Sequence, residues 1–583
     1  MTRRSSVAIL RVLIALAIGG PSSSALAAWG PDGVTVRPTT ASIPIVAACT
    51  DGGSGTFVVW QEITSGSAGM LRVQHLVSTG DLDPAWPVGG ALATTADVAR
   101  EFADVVPDRQ GGVYVCWNQG SSLYATHLDA SGAGVSGWAA TGKALGSTLI
   151  GFGRPRLIED GAHGIYVAWT GGNSIYVQRL GTDGLGAGGW PNMSRIVSPA
   201  GAVLSMRLYP DLALAPDGGI FVSWASQSSD TTQVESGLYL RRLTGAAVNA
   251  AGWPSTGVFL EPYRPEILGM SFLPGPLIDV SPDGRGGVFV ATGRLYQDES
   301  ASNSLDVRLR RLLGDGQPAA GWPVEGRATP PGFDSYWASS DNLDGGVRVH
   351  PDGQDGAIVE RVRFPTDSPA MTEVSRTTDA GPFAGQLQVV AAGHDLVPKG
   401  DGGVFAAAFE GTGPSHPFDI NAFIGLDQSN APAGWTTFGE SHAEPLQQWY
   451  GDIGLAKAGT NGVVFFWSQV RERFGLFARR FSTVGEVTGV PPPGGVGDVS
   501  TLDGVRYVRG SGVVARITVW GKPARLELFD VGGRRISSRT LDGLTQGATD
   551  VAMPGTASIS SGLYFARLVS DFTTQTGKVA VVR

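Results

Sequence analysis

The stretch that decides the fold is EDGAHGIYVAWTGGNSIYVQRL, Glu159 to Leu180. An acidic turn comes first. An apolar strand follows and ends at Trp169, then a Gly-Gly-Asn turn, then a second strand ending in Gln178-Arg179-Leu180. In GIYVAW, Ile165, Val167 and Trp169 alternate with Tyr166 and Ala168, so both faces of the strand are apolar. A strand with one face in water shows a polar side, so this one is covered on both.

The unit recurs. Its turn and first long strand return as TDGGSGTFVVW ending at Trp60, PDRQGGVYVCW at Trp117, PDGGIFVSW at Trp224 and PDGRGGVFVAT at Thr292. The remaining copies are PDGQDGAIVE at Glu360, KGDGGVFAAAFE at Glu410 and GTNGVVFFW at Trp467. Eight copies at a mean spacing of about 58 residues indicate a propeller or a solenoid. A short apolar segment precedes each turn, as in PRLI, PDLALA and PLIDV. After each turn unit come a strand such as LRVQHL, LYATHL or VRLRRL, a Gly-rich loop with a Gly-Trp or Ala-Trp pair, and a short fourth strand. Four strands joined in sequence make one propeller blade.

The eighth repeat lacks its own fourth strand, whereas WGPDGVTV, Trp29 to Val36, has the look of a detached one. The expectation is an all-β protein: an eight-bladed β-propeller over residues 28–487, closed by strand 29–36. Seven blades is the alternative, because the sixth repeat lacks both tryptophans.

The N-terminus reads as a secretory signal over residues 1–27, with Arg3, Arg4 and Arg11, an apolar run from Val12 to Ile18, and Ala25-Leu26-Ala27 at the cleavage site. No later apolar run is long enough to span a bilayer as a helix. The signal holds three arginines and no acid, so the chain charge of -9 becomes -12 after removal. An exported acidic chain is a poor partner for nucleic acid. Cys49 and Cys116 are the only cysteines, which excludes a disulfide framework; one disulfide or two buried thiols are both open.

Residues 488–500 are a Pro/Gly linker, and the repeat stops beyond it. Residues 501–583 hold six or so short strands, as a small β-sandwich does. Within them LELFDVGGRRI (Leu526 to Ile536), SGLYFARL (Ser561 to Leu568) and the terminal GKVAVVR resemble the C-terminal immunoglobulin-like modules of exported bacterial proteins. These are the type IX secretion sorting domains and the flagellar hook-capping (FlgD-type) domains. The resemblance implies delivery to the cell surface or the medium, with secretion machinery as the tail's partner. Two features depart from it: no Asn-Pro precedes Val513, and AMPG at Ala552 to Gly555 replaces a Trp-Asp-Gly.

Standard catalytic motifs are missing from the sequence, whereas paired carboxylates for glycoside cleavage can lie anywhere on propeller loops. No His is followed by Glu, no Gly-Lys by Ser or Thr, and no Cys-x-x-Cys exists. No cofactor or metal is expected. The recurring aspartates Asp51, Asp108, Asp160, Asp217, Asp283 and Asp352 read as turn residues rather than calcium ligands. The recurring bases His75, His127, Arg179, Arg242, Arg311 and Arg480 read as stems over apolar surface with heads on carboxylates or solvent. Twelve of 15 tryptophans sit at repeat positions and read as packing between blades. Trp337 and Trp449 fall outside the repeat and are the candidate ligand surface. The expected role is a non-enzymatic binding or scaffold protein for an extracellular protein or glycan. The alternatives are a secreted polysaccharide hydrolase or lyase with its site over the channel, and a structural surface-layer component.

Overall fold

The computed structural model describes residues 34–39, 45–63, 69–96, 103–148, 155–172, 174–198, 210–226, 236–262, 277–297, 303–329, 346–363, 371–379, 381, 383–390, 394–398, 400, 403–409, 418–423, 440–442, 450–459, 462–469, 475–482, 501–508, 511–519, 524–530, 534–541, 547–570 and 574–581. All regular structure among them is β, in antiparallel sheets.

Residues 34–482 form four-stranded sheets, each built from consecutive strands in sequence order except the last. Sheet 1 runs from Ile45–Thr50 to Ala91–Leu92, sheet 2 from Ala103–Pro107 to Lys143–Ser147, and sheet 3 from Arg156–Glu159 to Arg195–Ile196. Sheet 4 runs from Asp211–Leu214 to Val258–Pro262, sheet 5 from Ile278–Pro282 to Arg327–Ala328, and sheet 6 from Val347–Pro351 to Ala384–Val390. Sheet 7 runs from His394–Pro398 to Glu440–His442. Sheet 8 takes three strands from Tyr450–Ala458, Gly462–Gln469 and Gly475–Ser482, and its fourth from Val34–Pro38, with Val34 opposite Ala478 and Pro38 opposite Gly475. The earlier residues of the expected strand, 29–33, lie outside the described residues.

The apolar cores lie between sheets, because the second strand of each presents side chains to both neighbours. Phe57 and Val59 of sheet 1 pack with Val113, Val115 and Trp117 of sheet 2. Tyr114 and Cys116 on the other face of that strand pack with Ile165, Val167 and Trp169 of sheet 3. The same interleaving joins sheets 3 and 4, 4 and 5, and 5 and 6. It also joins sheet 8 to sheet 1, where Val36, Phe466 and Ala478 share a core with Val58 and Trp60. Burial of such side chains is worth about 2 kcal/mol or more each, so these layers are the main stabilising element.

Glycine makes room for the tryptophan that ends the second strand. A Cβ on Gly90 would lie 2.4 Å from Trp60 Cη2, and one on Gly142 would lie 2.6 Å from Trp117 Cη2. Both glycines also have positive φ, 85° and 91°, which disfavours any side chain there.

Residues 501–581 form a second β unit. A three-stranded sheet (Thr501–Val508, Gly512–Val519, Gly547–Ala552) faces a four-stranded one. The four-stranded sheet has the order Arg535–Thr540, Ala524–Asp530, Gly562–Ser570, Thr574–Val581. Val513, Ala515 and Ile517 from the first sheet share a core with Leu526, Leu528, Ala566 and Leu568 from the second. Cys49 and Cys116 are separate thiols, so the two-thiol alternative holds.

Candidate functional site

Each recurring aspartate holds a turn together and also anchors a base. Asp108 Oδ1 accepts from the amides of Gln110 at 2.6 Å and Gly112 at 2.8 Å, and its Oδ2 lies 2.9 Å from His127 Nε2. Asp160 Oδ1 accepts from Ala162 and Gly164, and its Oδ2 from Arg179 Nε at 3.0 Å. Asp283 does the same with Gly287 and Arg311, and Asp352 with Gly356 and Arg376. Both oxygens are thus engaged by protein donors, as the turn reading of these aspartates requires.

The bases reach further, to the next sheet. Arg179 Nη1 donates to Gly245 O at 3.1 Å, and Arg242 Nη1 to Gly314 O at 2.6 Å. The Gly-Trp indoles reach the same carbonyls: Trp190 Nε1 donates to Gly245 O and Trp253 Nε1 to Gly314 O. Trp138 Nε1 likewise donates to Thr182 O at 2.8 Å. These indoles are 4–7% exposed, so they are packing residues rather than a ligand platform. Trp60, Trp117, Trp169 and Trp224 are at most 1% exposed. Trp337 and Trp449 lie outside the described residues.

The concentration of chemistry is on the first strands, which lie side by side from sheet 1 to sheet 6, from 7 to 8, and from 8 to 1. One register position recurs on them, opposite the residue before the tryptophan position, which in sheet 6 is held by Arg361, one residue beyond the Glu360 that ends that copy. Asp104 faces Cys116, Arg156 faces Ala168, Asp211 faces Ser223, Asp279 faces Ala291 and Arg348 faces Glu360. Asp395 holds the same register position in sheet 7, while sheets 1 and 8 have Ala47 and Gly454 there.

The carboxylates in this row clip adjacent sheets together. Asp104 Oδ2 accepts from the Leu157 amide at 2.8 Å. Asp211 Oδ2 accepts from the Val280 amide at 2.8 Å, and Asp279 Oδ2 from the Val349 amide at 2.7 Å. Arg156 adds a side-chain link, with Nε 2.7 Å from Asp211 Oδ1 and Nη1 4.0 Å from Asp104 Oδ2.

The Asp211 and Asp279 carboxyl groups are in hydrogen-bonding contact, so the ionisation of one opposes that of the other. Burial works against ionising Asp211, but Arg156 and the bond from Asp279 outweigh it and hold it below the usual carboxylate range. Burial and then the Asp211 charge push Asp279 well above that range, so of the two it holds a proton more readily. Burial also raises Asp104, against the pull of Arg156. Arg156 is held more firmly protonated, first by Asp211. The arrangement can store a proton and fix neighbouring strands. Two carboxyl groups in direct contact leave no room for the sugar and water of a glycoside-cleaving pair, which stand about 5–9.5 Å apart.

Sequence reading passed over this row. The signal was present in ADVVP, PRLI, PDLALA and PLIDV, where one charged residue sits at a fixed place in a short apolar strand. Among the described residues no group of His, Cys, Asp and Glu could hold a metal ion, and no helix is long and apolar enough to cross a membrane.

No protein-family model and no curated protein matches the chain. Among solved structures it is similar to polysaccharide lyase Uly1, with a TM-score of 0.40, 8% identity, and coverage of 68% of this chain and 91% of that one. It is also similar to AofleA from Arthrobotrys oligospora, with a TM-score of 0.31, 11% identity, and coverage of 62% and 89%. A third is the GH93 α-L-arabinofuranosidase of Fusarium graminearum, with a TM-score of 0.31, 9% identity, and coverage of 60% and 97%. These are propeller-like proteins, matched weakly.

Proposed function

We propose that residues 28–487 are an eight-bladed β-propeller completed by the N-terminal strand. In this reading residues 501–583 are an immunoglobulin-like sorting or attachment module of the type IX secretion or hook-capping kind. The chain is then an exported, non-enzymatic binding or scaffold protein of the cell surface or medium, with residues 1–27 as its signal. Its ligand is an extracellular protein or glycan, and Trp337 and Trp449 are the proposed contact residues. One observation carries the non-catalytic part: the inner carboxylates Asp104, Asp211 and Asp279 each bind a backbone amide of the next sheet. Groups fixed in this way are structural clips.

The test is incubation of the purified chain with a panel of neutral and acidic polysaccharides, followed for new reducing ends and unsaturated products, alongside a glycan-binding array. Binding without turnover is the expected outcome. Turnover lost on Asp211→Asn substitution, with folding intact, would overturn the reading in favour of a secreted hydrolase or lyase acting over the channel. The observation favouring that second reading is Arg156 flanked by two carboxylates, 2.7 Å from Asp211 and 4.0 Å from Asp104.

A further inference from the structure

The C-terminal unit differs in charge from the rest of the chain. Residues 501–583 hold 11 Lys and Arg against 6 Asp and Glu, a net of +5. Residues 1–500 hold 32 against 46, a net of -14. The excess is not spread evenly over the unit. Leu526 and Leu528 point into the core, so Arg525, Glu527 and Phe529 between and beside them stand on the outer face of the four-stranded sheet.

That face carries a row across all four strands. Arg535 lies opposite Phe529, Phe529 opposite Phe565, and Phe565 opposite Lys578. Two aromatic rings are thus flanked by a cation on each outer strand, with about 14 Å between the outer backbones. In the next row Glu527 lies opposite Arg567, whose guanidinium stacks over Phe529 at 4.7 Å. Glu527 is the one acid on this part of the face among the described residues, and it is 1% exposed. Three arginines converge on it: Arg567 Nη2 at 2.8 Å, Arg535 Nη1 at 2.9 Å and Arg525 Nε at 3.2 Å. Their side chains remain 43%, 57% and 52% exposed. One carboxylate cannot neutralise three guanidiniums, and Lys578 adds a fourth positive charge to the face.

We propose that this sheet face binds an acidic polysaccharide, with a sugar ring against Phe565, beside the Arg567-covered Phe529, and carboxylates on Arg535 and Lys578. Phe565 decides between anionic partners, because its partly exposed ring offers apolar area between the cations, which a sugar ring covers and a bare anion does not. Planar guanidiniums suit a carboxylate by two parallel hydrogen bonds. The proposal goes beyond the propeller reading and stands on the C-terminal unit alone.

The experiment measures retention of the full mature chain on immobilised polygalacturonate, with its methyl-esterified, neutral form as the control. Retention on the acid form, weakening as salt is raised, is expected. The double variant Arg535→Ser/Lys578→Ser leaves Arg525 and Arg567 on Glu527 and should weaken retention about tenfold or more, since each lost charge-assisted contact is worth roughly a factor of ten. Lys578→Glu should weaken it as well, and thermal unfolding should show both variants folded. Equal retention on both polymers, or no effect of either variant on a folded chain, overturns the proposal. So does binding to anionic phospholipid vesicles in preference to polygalacturonate. Delivery of the chain to the cell surface is scored separately, so loss of polysaccharide binding with delivery intact removes this inference and leaves the sorting reading standing.

Discussion

Arg480 Nη1 donates to Ser78 O at 2.7 Å, across 402 residues of sequence. The bond repeats, between sheets 8 and 1, the one that Arg179 makes to Gly245 and Arg242 makes to Gly314 between consecutive sheets. Arg37 strengthens the same boundary, with Nη2 2.7 Å from Glu62 Oε1. Sheets 8 and 1 are therefore neighbours in the same sense as sheets 3 and 4 or 4 and 5. Val36 lies at this boundary and is 1% exposed, in a core with Trp60 and Phe466. Val36→Asp places a carboxylate in that layer and should cost roughly 3 kcal/mol or more. A lower urea midpoint for the first unfolding step would show it; an unchanged midpoint would mean that the boundary does not hold the repeats together.

Gly142 should not tolerate a side chain. Its φ is 91°, and a Cβ would meet Trp117 Cη2 and Cζ2 at 2.6 Å. Gly142→Ala is expected to destabilise by about 2–4 kcal/mol, from strain plus overpacking. Pairing it with Trp117→Leu should be non-additive, because the smaller side chain relieves the clash. Thermal unfolding of the two single variants and the double gives the coupling directly.

Asp211 and Asp279 should respond differently to the same change. Asp211→Asn removes the charge that holds Arg156 and should cost about 2 kcal/mol, less than a fully buried pair because Arg156 is partly exposed. Asp279→Asn keeps a donor toward Asp211 and an acceptor for the Val349 amide, so it should be close to neutral at low pH. Denaturant titration of both variants checks the contrast.

The same pair sets a pH dependence. Asp279 releases its proton at a higher pH in the folded state than in the unfolded chain, where it does so near pH 4. Between these two values the folded state binds more protons, so this group makes stability fall as pH rises. Asp211 has the opposite sign: its contribution is present above the unfolded value and is lost as pH falls through the folded one. Asp279→Asn should remove the downward slope above about pH 4. A slope unaltered in that variant would show that the proton is held elsewhere.

His75 adds a second dependence. Burial disfavours its charge, but Asp51 at 3.4 Å and Asp83 at 2.7 Å outweigh this and raise its pKa. The resulting stabilisation is complete below the unfolded value of about 6.5 and is lost as pH rises through the folded value. A His75→Gln chain should lack this alkaline loss when melting temperature is followed across neutral pH.

The repeat was legible because its markers are obligatory. Trp117 needs a glycine at residue 142, and Asp108 must cap its own turn, so the same letters return in most copies. Of the bases on the third strands, expected to meet carboxylates or solvent, His75, His127, Arg179, Arg242 and Arg311 meet carboxylates, and Arg480 donates to the Ser78 carbonyl. The contacts of Arg179, Arg242 and Arg480 to a carbonyl of the next sheet were not legible, because a main-chain acceptor leaves no mark in the sequence. The charged row on the first strands was missed for a related reason. Asp104, Arg156 and Asp211 differ in sign from repeat to repeat, so a search for one recurring residue type passes over them. The charge of the C-terminal sheet face became visible only when the register set Arg535, Phe529, Phe565 and Lys578 in line.

The strand Val34–Pro38 has a consequence for the order of assembly. Its partner, Gly475–Ser482, emerges more than four hundred residues later, so the opening segment must wait with an unpaired edge while the intervening repeats form. Moving those few residues to follow Ser482 would turn the slowest, most distant contact into a local hairpin. A rearranged chain of that kind should refold faster while keeping the same packed layers.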